Sequence, residues 1–248
     1  EGGITYPNGL GVPRAIDIDG NGTADYVYAG DLVGNLYRFD ISSSDPADWA
    51  MSQILFKADY EVSTGVKSRQ PITVQPIATI NEGYGGYNII VSTGSWMTID
   101  DVTSTTVQSL YGIWDKDPSV VRDVVIQSEL VEQSFTNVKQ ELLGFTYRTL
   151  SASPVGYVIP SGKKARVMGW KIDLDMCVAD TTGCASPEYG GERAIRNLLV
   201  KEGILFGVTI LPSSNAYCSD SPGGYLFSID AQTGGLVPER PRFDLNAD

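Results

Sequence analysis

The chain has 248 residues, 42% of them hydrophobic and 19% charged, which is enough to bury a core in one or two domains. A formal net charge of −12 argues against a nucleic-acid surface, which needs a basic stripe. The absence of histidine removes the usual general base, and no apolar run is long enough to cross a bilayer.

The first element with chemical content is Asp17-Ile18-Asp19-Gly20-Asn21-Gly22-Thr23-Ala24-Asp25. Oxygen-bearing side chains fall at loop positions 1, 3, 5 and 9, with glycine at position 6, where a calcium loop must turn sharply. Asp17, Asp19, Asn21 and Asp25 offer side-chain oxygens and Thr23 its backbone carbonyl, so these five residues form a candidate Ca2+ site. An EF-hand would carry glutamate at position 12; here that position is Tyr28, inside the strand-forming run Tyr26-Val27-Tyr28-Ala29. The loop therefore reads as a metal loop between strands. A bare Asx-rich turn is the alternative, but such a turn has no need of three mutually repelling carboxylates.

Further along, a short strand ending in aspartate recurs: Gly34–Asp40, Leu110–Asp115, Gly169–Asp173 and Gly224–Asp230. Apolar strands precede most of these, at Tyr26–Ala29, Tyr87–Thr93 and Gly203–Leu211. Recurrence at this interval, with 27 glycines, 13 prolines and 13 tyrosines, predicts an all-β fold of propeller blades. The expected blades are four-stranded antiparallel sheets over about 1–41, 42–116, 117–174 and 175–235, followed by a tail at 236–248. They would form a partial or modified ring. Ser134–Leu143 is the best helix candidate, with an irregular insertion as the alternative. Gly83–Tyr87 reads as a hairpin turn. The chain begins with Glu1, which suggests a piece of a longer, processed protein.

Cys177 and Cys184 flank a short polar loop and suit a local disulfide in an oxidising compartment. Cys218 is then left over, and its pairing with either of the others stays open. Lys163-Lys164-Ala165-Arg166 reads as a solvated hairpin tip. Asp244, Asn246 and Asp248 resemble the opening of a second calcium loop, with a frayed acidic terminus as the equal alternative. Trp96, Tyr111, Trp114 and Trp170 read as blade core before ligand platform.

Together, residues 17–40, Ser92–Trp96, Gln108–Asp115, Gly169–Leu174, Gly191–Arg193 and Gly223–Gly235 resemble the type IV pilus tip adhesin family, the PilC/PilY group. The resemblance implies a modified β-propeller with this kind of calcium loop, located at the pilus tip on the bacterial cell surface, extracellular and associated with the outer membrane. It implies minor pilins and other tip components as partners, with a host-cell receptor as a further one. Pilus biogenesis, twitching motility and attachment follow as roles, with calcium occupancy opposing retraction. Integrin recognition through Arg-Gly-Asp is not implied, since residues 29–31 are Ala-Gly-Asp.

No catalytic residues emerge. The adjacent Asp100 and Asp101 would face opposite sides of a strand and make a poor acid–base pair. The Gly224–Gly234 segment also resembles blades of quinoprotein dehydrogenases, but those carry an adjacent cysteine pair that this chain lacks. A general calcium-dependent adhesive propeller is the other alternative, and it would repeat the loop in successive blades.

Overall fold

A computed structural model describes residues 8–135, 140–142, 145–159, 166–174, 190–212 and 223–237. Strands run in chain order as β1 (Arg14–Ile16), β2 (Tyr26–Gly30), β3 (Asn35–Asp40) and β4 (Ala50–Lys57), then the hairpin β5 (Asp59–Ser63) and β6 (Val66–Arg69). Next come β7 (Ile77–Ile80), β8 (Tyr87–Ser92), the short helix α1 (Ile99–Thr103), β9 (Ser109–Asp115) and β10 (Leu130–Gln133). A second hairpin, β11 (Gln140–Leu142) and β12 (Phe145–Tyr147), precedes β13 (Gly169–Asp173). The last described strands are β14 (Leu199–Lys201), β15 (Ile204–Val208) and β16 (Leu226–Asp230).

Three larger sheets result, ordered β1-β2-β3-β4, β10-β13-β9-β8-β7 and β14-β15-β16. The first strands of the sheets lie side by side, with β7 touching both β1 and β14. Arg14 Nε donates to Pro76 O at 3.2 Å across this inner edge. Sheets radiating from adjacent inner strands are the plan of a β-propeller, as the recurrence predicts. All four recurring aspartates end strands, namely β3, β9, β13 and β16.

The strands group differently from the expected blade boundaries at 41, 116 and 174. β4, beyond residue 41, pairs with β3 and so completes the first sheet. β13 does not found a sheet of its own: it pairs antiparallel with β9, and β10 adds to it in parallel. Trp170 packs against its cross-strand neighbour Gly112, where a Cβ would come within 2.3 Å of the indole. The ring also meets Gly234, where a Cβ would stand 2.4 Å away, and the indole Nε1 donates to Ala231 O at 3.3 Å. Trp170 thus docks the second sheet onto the turn after β16. Between the first two sheets, the Phe56 and Tyr111 rings meet at 4.7 Å within one continuous apolar core.

The helix expected over Ser134–Leu143 is corrected: Gln140–Leu142 is a strand paired with β12, and the remainder of that stretch is described only at Ser134 and Phe135. A ten-residue helix pays a nucleation cost that so few apolar contacts do not offset. The base of the hairpin is instead closed by a Phe135–Leu150 bridge. Gly83–Tyr87 forms the β7–β8 hairpin turn, with Asn81 N donating to Gly86 O at 2.9 Å. Among the described residues, no helix is long and apolar enough to cross a membrane.

Candidate metal centre

The loop at 17–25 joins β1 to β2, whose pairing runs in register from Arg14↔Tyr28 to Ile16↔Tyr26 at its mouth. Asp25 N donates to Ile16 O at 2.8 Å, and Asp25 O accepts from Ile41 N at 2.8 Å, so the last loop residue is tied to both neighbouring strands. Gly20 and Gly22 have φ of 75° and 88° in open space, so glycine is needed there for its backbone freedom rather than for room.

Loop amides aim the acidic side chains inward. Asp17 Oδ1 accepts from Gly20 N and Asp17 Oδ2 from Gly22 N, both at 2.7 Å. Asp19 Oδ1 accepts from Asn21 N at 3.0 Å, and its Oδ2 accepts from Asn21 Nδ2 at 2.9 Å. Asn21 Oδ1 accepts from both the amide and the hydroxyl of Thr23. Asp25 Oδ2 takes Ile18 N across the loop at 2.8 Å. In consequence, one carboxylate oxygen from each of Asp17, Asp19 and Asp25 lies within 4.8 Å of the others.

Asp17 and Asp19 are exposed, whereas Asp25 is 8% exposed. The hydrogen bond from Gly22, with further help from Gly20, Asp19 and Asn21, holds the Asp17 carboxyl below its ordinary value against the opposing effect of desolvation. Tyr87, at the start of β8, lies within the field of the loop: burial first, then the Asp17 and Asp25 charges, raise its hydroxyl. The donors are all hard oxygens at the spacing of a small cavity, which fits Ca2+ and offers nothing to a thiophilic metal.

Other candidates take different places. Tyr111, Trp114 and Trp170 are core residues, while Trp96 is partly exposed. Asp100 and Asp101 lie in the helical turn α1, not in a strand. Asp101 accepts from Ser95 Oγ and from the amides of Met97 and Thr98, which makes it a loop cap. Cys177, Cys184, Cys218, Lys163–Ala165 and Asp244–Asp248 lie outside the described residues.

The sequence reading missed three buried arginines. Arg38 pairs with Asp115 at 2.8 Å, and Tyr28 donates to the same carboxylate at 2.9 Å. Arg148 pairs with Glu192 at 2.8 Å, its guanidinium set 4.2 Å from the Phe135 ring centre and 4.0 Å from that of Tyr225. Arg193 donates to Gly191 O, Ser95 O and Ser104 O, clamping the 95–104 loop to the third sheet. Partners as distant in sequence as Arg38 and Asp115 leave no local signal, although the Gly-Glu-Arg triplet at 191–193 was a usable marker for the other two.

The sequence pattern of the PilY1 beta-propeller domain matches residues 1–147. A Xylella fastidiosa protein named type IV pilus biogenesis factor PilY1 homolog is 30% identical over 245 residues, covering 98% of this chain and 17% of that protein. The Pseudomonas aeruginosa type IV pilus biogenesis factor PilY1 is 28% identical over 258 residues, covering 92% of this chain and 21% of its own length. The chain therefore spans about a fifth of these relatives. The crystal structure of the P. aeruginosa PilY1 C-terminal domain matches with a TM-score of 0.73 at 26% identity, over 94% of this chain and 49% of that one. With its radiating sheets and this matching pattern, the chain belongs to the PilY1 β-propeller domain family.

Proposed function

We propose that this chain is a calcium-binding β-propeller unit of a type IV pilus biogenesis factor. It acts at the bacterial cell surface together with minor pilins and other tip components. The family membership and the relatives' names support the pilus assignment. The calcium assignment is carried by one observation, the convergence of three aspartate carboxylates in a glycine-turned loop. Asp17, Asp19 and Asp25 would hold the ion, with Asn21 and the Thr23 carbonyl completing its shell. The ion would neutralise their mutual repulsion.

Extracellular calcium modules bind in the range of about 10⁻⁴–10⁻³ M, so ambient calcium would set occupancy. At a free concentration ten times Kd, binding stabilises the folded unit by about 1.4 kcal/mol. Occupancy would thereby modulate a tip complex that opposes pilus retraction, and with it twitching motility and attachment to surfaces or host cells. A scaffold role is favoured over catalysis because the buried carboxylates Asp115 and Glu192 are both engaged by arginines within the sheet packing.

Isothermal titration tests the site: Asp17→Ala with Asp19→Ala should abolish the calcium heat while the circular dichroism of the fold persists. Unchanged heats would remove the assignment. In cells, Asp25→Ala should alter retraction-dependent motility, and wild-type motility would confine the loop to a structural part.

A further inference from the structure

We propose that a groove beside the third sheet docks an extended polypeptide segment in which an acidic residue neighbours an apolar one. The groove arises from a mismatch between two strands. Leu199 stands opposite Phe206 in the β14–β15 ladder, and Arg193 stands opposite Ile210 in a separate antiparallel bridge. Between these two pairs the first segment takes six steps where the second takes four, so the 194–198 stretch bulges away from β15. Backbone hydrogen bonds alternate in direction along a strand. Thr209 N and Leu211 N donate to Tyr225 O and Gly223 O on the β16 side, whereas Ile210 N donates to Arg193 O on the other. Val208, two residues before Ile210, therefore turns its N–H and C=O towards the bulge. There they have no backbone partner among the described residues.

The space so left is a groove of about 330 Å³ whose walls include Trp96, Ile195, Arg196, Val208 and Ile210. Thr209 lines it too, but its hydroxyl is spent: it donates to Glu192 Oε1 at 2.6 Å and accepts from Tyr225 N at 3.0 Å. Trp96 is set in place by its neighbours. Arg193 Nη1 donates to Ser95 O at 3.0 Å on one side of it, and Met97 N donates to Asp101 Oδ2 at 2.8 Å on the other. The Arg193 guanidinium also stands 5.9 Å from the centre of the indole. A ring held in this way gives up little freedom on binding, and tryptophan and arginine are the side chains that most often carry binding energy.

Charge selects the occupant. Arg196 is the one charged residue lining the groove; it is exposed, and none of the ion pairs among the described residues includes it. The complement of an uncompensated cation in an apolar groove is a carboxylate. The Val208 N–H and C=O suit the main chain of an extended segment, as in strand addition, while Trp96, Ile195 and Ile210 suit an apolar side chain beside the acidic one.

The test is selection of a random heptapeptide display library on the immobilised chain, followed by fluorescence anisotropy of the enriched peptides. Those peptides should place Asp or Glu beside a large apolar residue. Arg196→Gln, at an exposed position, should keep the melting temperature and weaken their binding about tenfold or more. Added salt should weaken binding to the wild type as well. Val208→Pro removes the N–H that faces the groove and no hydrogen bond between β15 and β16, and should weaken binding about fivefold or more. No enrichment, enrichment of basic or purely apolar peptides, or equal binding to the wild type and Arg196→Gln would overturn the proposal. So would a chain that dimerises in light scattering and returns to a monomer with Arg196→Gln, since the groove would then take a second copy. Arg196→Gln decides the matter by itself should Val208→Pro fail to fold.

Discussion

Asp115→Ala is the most informative perturbation of the fold, because Asp115 joins two sheets from a fully buried position. Its carboxylate accepts two bonds from Arg38 Nη1, at 2.9 and 2.8 Å, and one from Tyr28 OH, at 2.9 Å. Arg38 is 0% exposed and Asp115 2%. The variant strands a buried guanidinium whose other partners, Ser52 Oγ, Val120 O and Gln53 Oε1, are neutral. Breaking such a pair costs about 3–5 kcal/mol, most of it the penalty of the uncompensated charge. At about 2–4 °C per kcal/mol for a chain of this size, the melting temperature should fall by roughly 6–20 °C. Denaturant unfolding followed by circular dichroism measures the loss. Removing both charges, as in Arg38→Met with Asp115→Leu, should recover most of it, leaving about 1 kcal/mol for the unpartnered Tyr28 hydroxyl. A cost for Asp115→Ala under about 1 kcal/mol, or a double variant worse than the single, would refute the reasoning.

Three further outcomes are expected. Gly234→Ala forces a Cβ to within 2.4 Å of the Trp170 ring at a φ of 70°, and should cost about 2–4 kcal/mol. Calorimetry reads this, and an unchanged melting temperature would mean that Trp170 is not docked on that turn. Burial alone would raise the Asp31 carboxyl, but donation from Asn8, Asn35 and Tyr37 outweighs it and holds the group below 3.8. Its stabilising contribution is therefore complete above the unfolded value near 3.8 and is lost as pH falls through the lower folded value. Asp31→Asn should flatten that part of the acid limb in urea midpoints measured against pH, and a limb as steep as the wild type's would contradict the assignment. Arg193→Met should loosen the 95–104 loop, which loses its links at Ser95 O and Ser104 O, and raise proteolytic cleavage there without changing the calcium heat. A loop as resistant as the wild type's would show that the clamp is dispensable.

What could be read in the sequence was local. The geometry of the 17–25 loop follows from aspartates and glycines within nine residues, each bonding a neighbour no more than seven positions away. The four strand-ending aspartates were legible by recurrence, but their tasks were not, because each depends on what the fold brings alongside. Asp40 caps Ser42, Asp115 neutralises Arg38, Asp173 receives Ser109 and Lys171, and Asp230 closes a turn onto Thr233. The sheet boundaries were misplaced for the same reason. Nothing near Gly169 announces that β13 will lie beside β9 rather than start a new blade. There Trp170 packs against Gly112 and Gly234, both distant in the chain. The β11–β12 hairpin was masked by apolar residues at a helix-like interval in a stretch too short for a helix to nucleate.

The claim that a divalent ion sits in the β1–β2 loop is tested most directly by diffraction from crystals grown in millimolar calcium. The account predicts one ion ringed by oxygens of Asp17, Asp19 and Asp25 at about 2.3–2.6 Å. A loop of the same shape holding no ion at that concentration would contradict it.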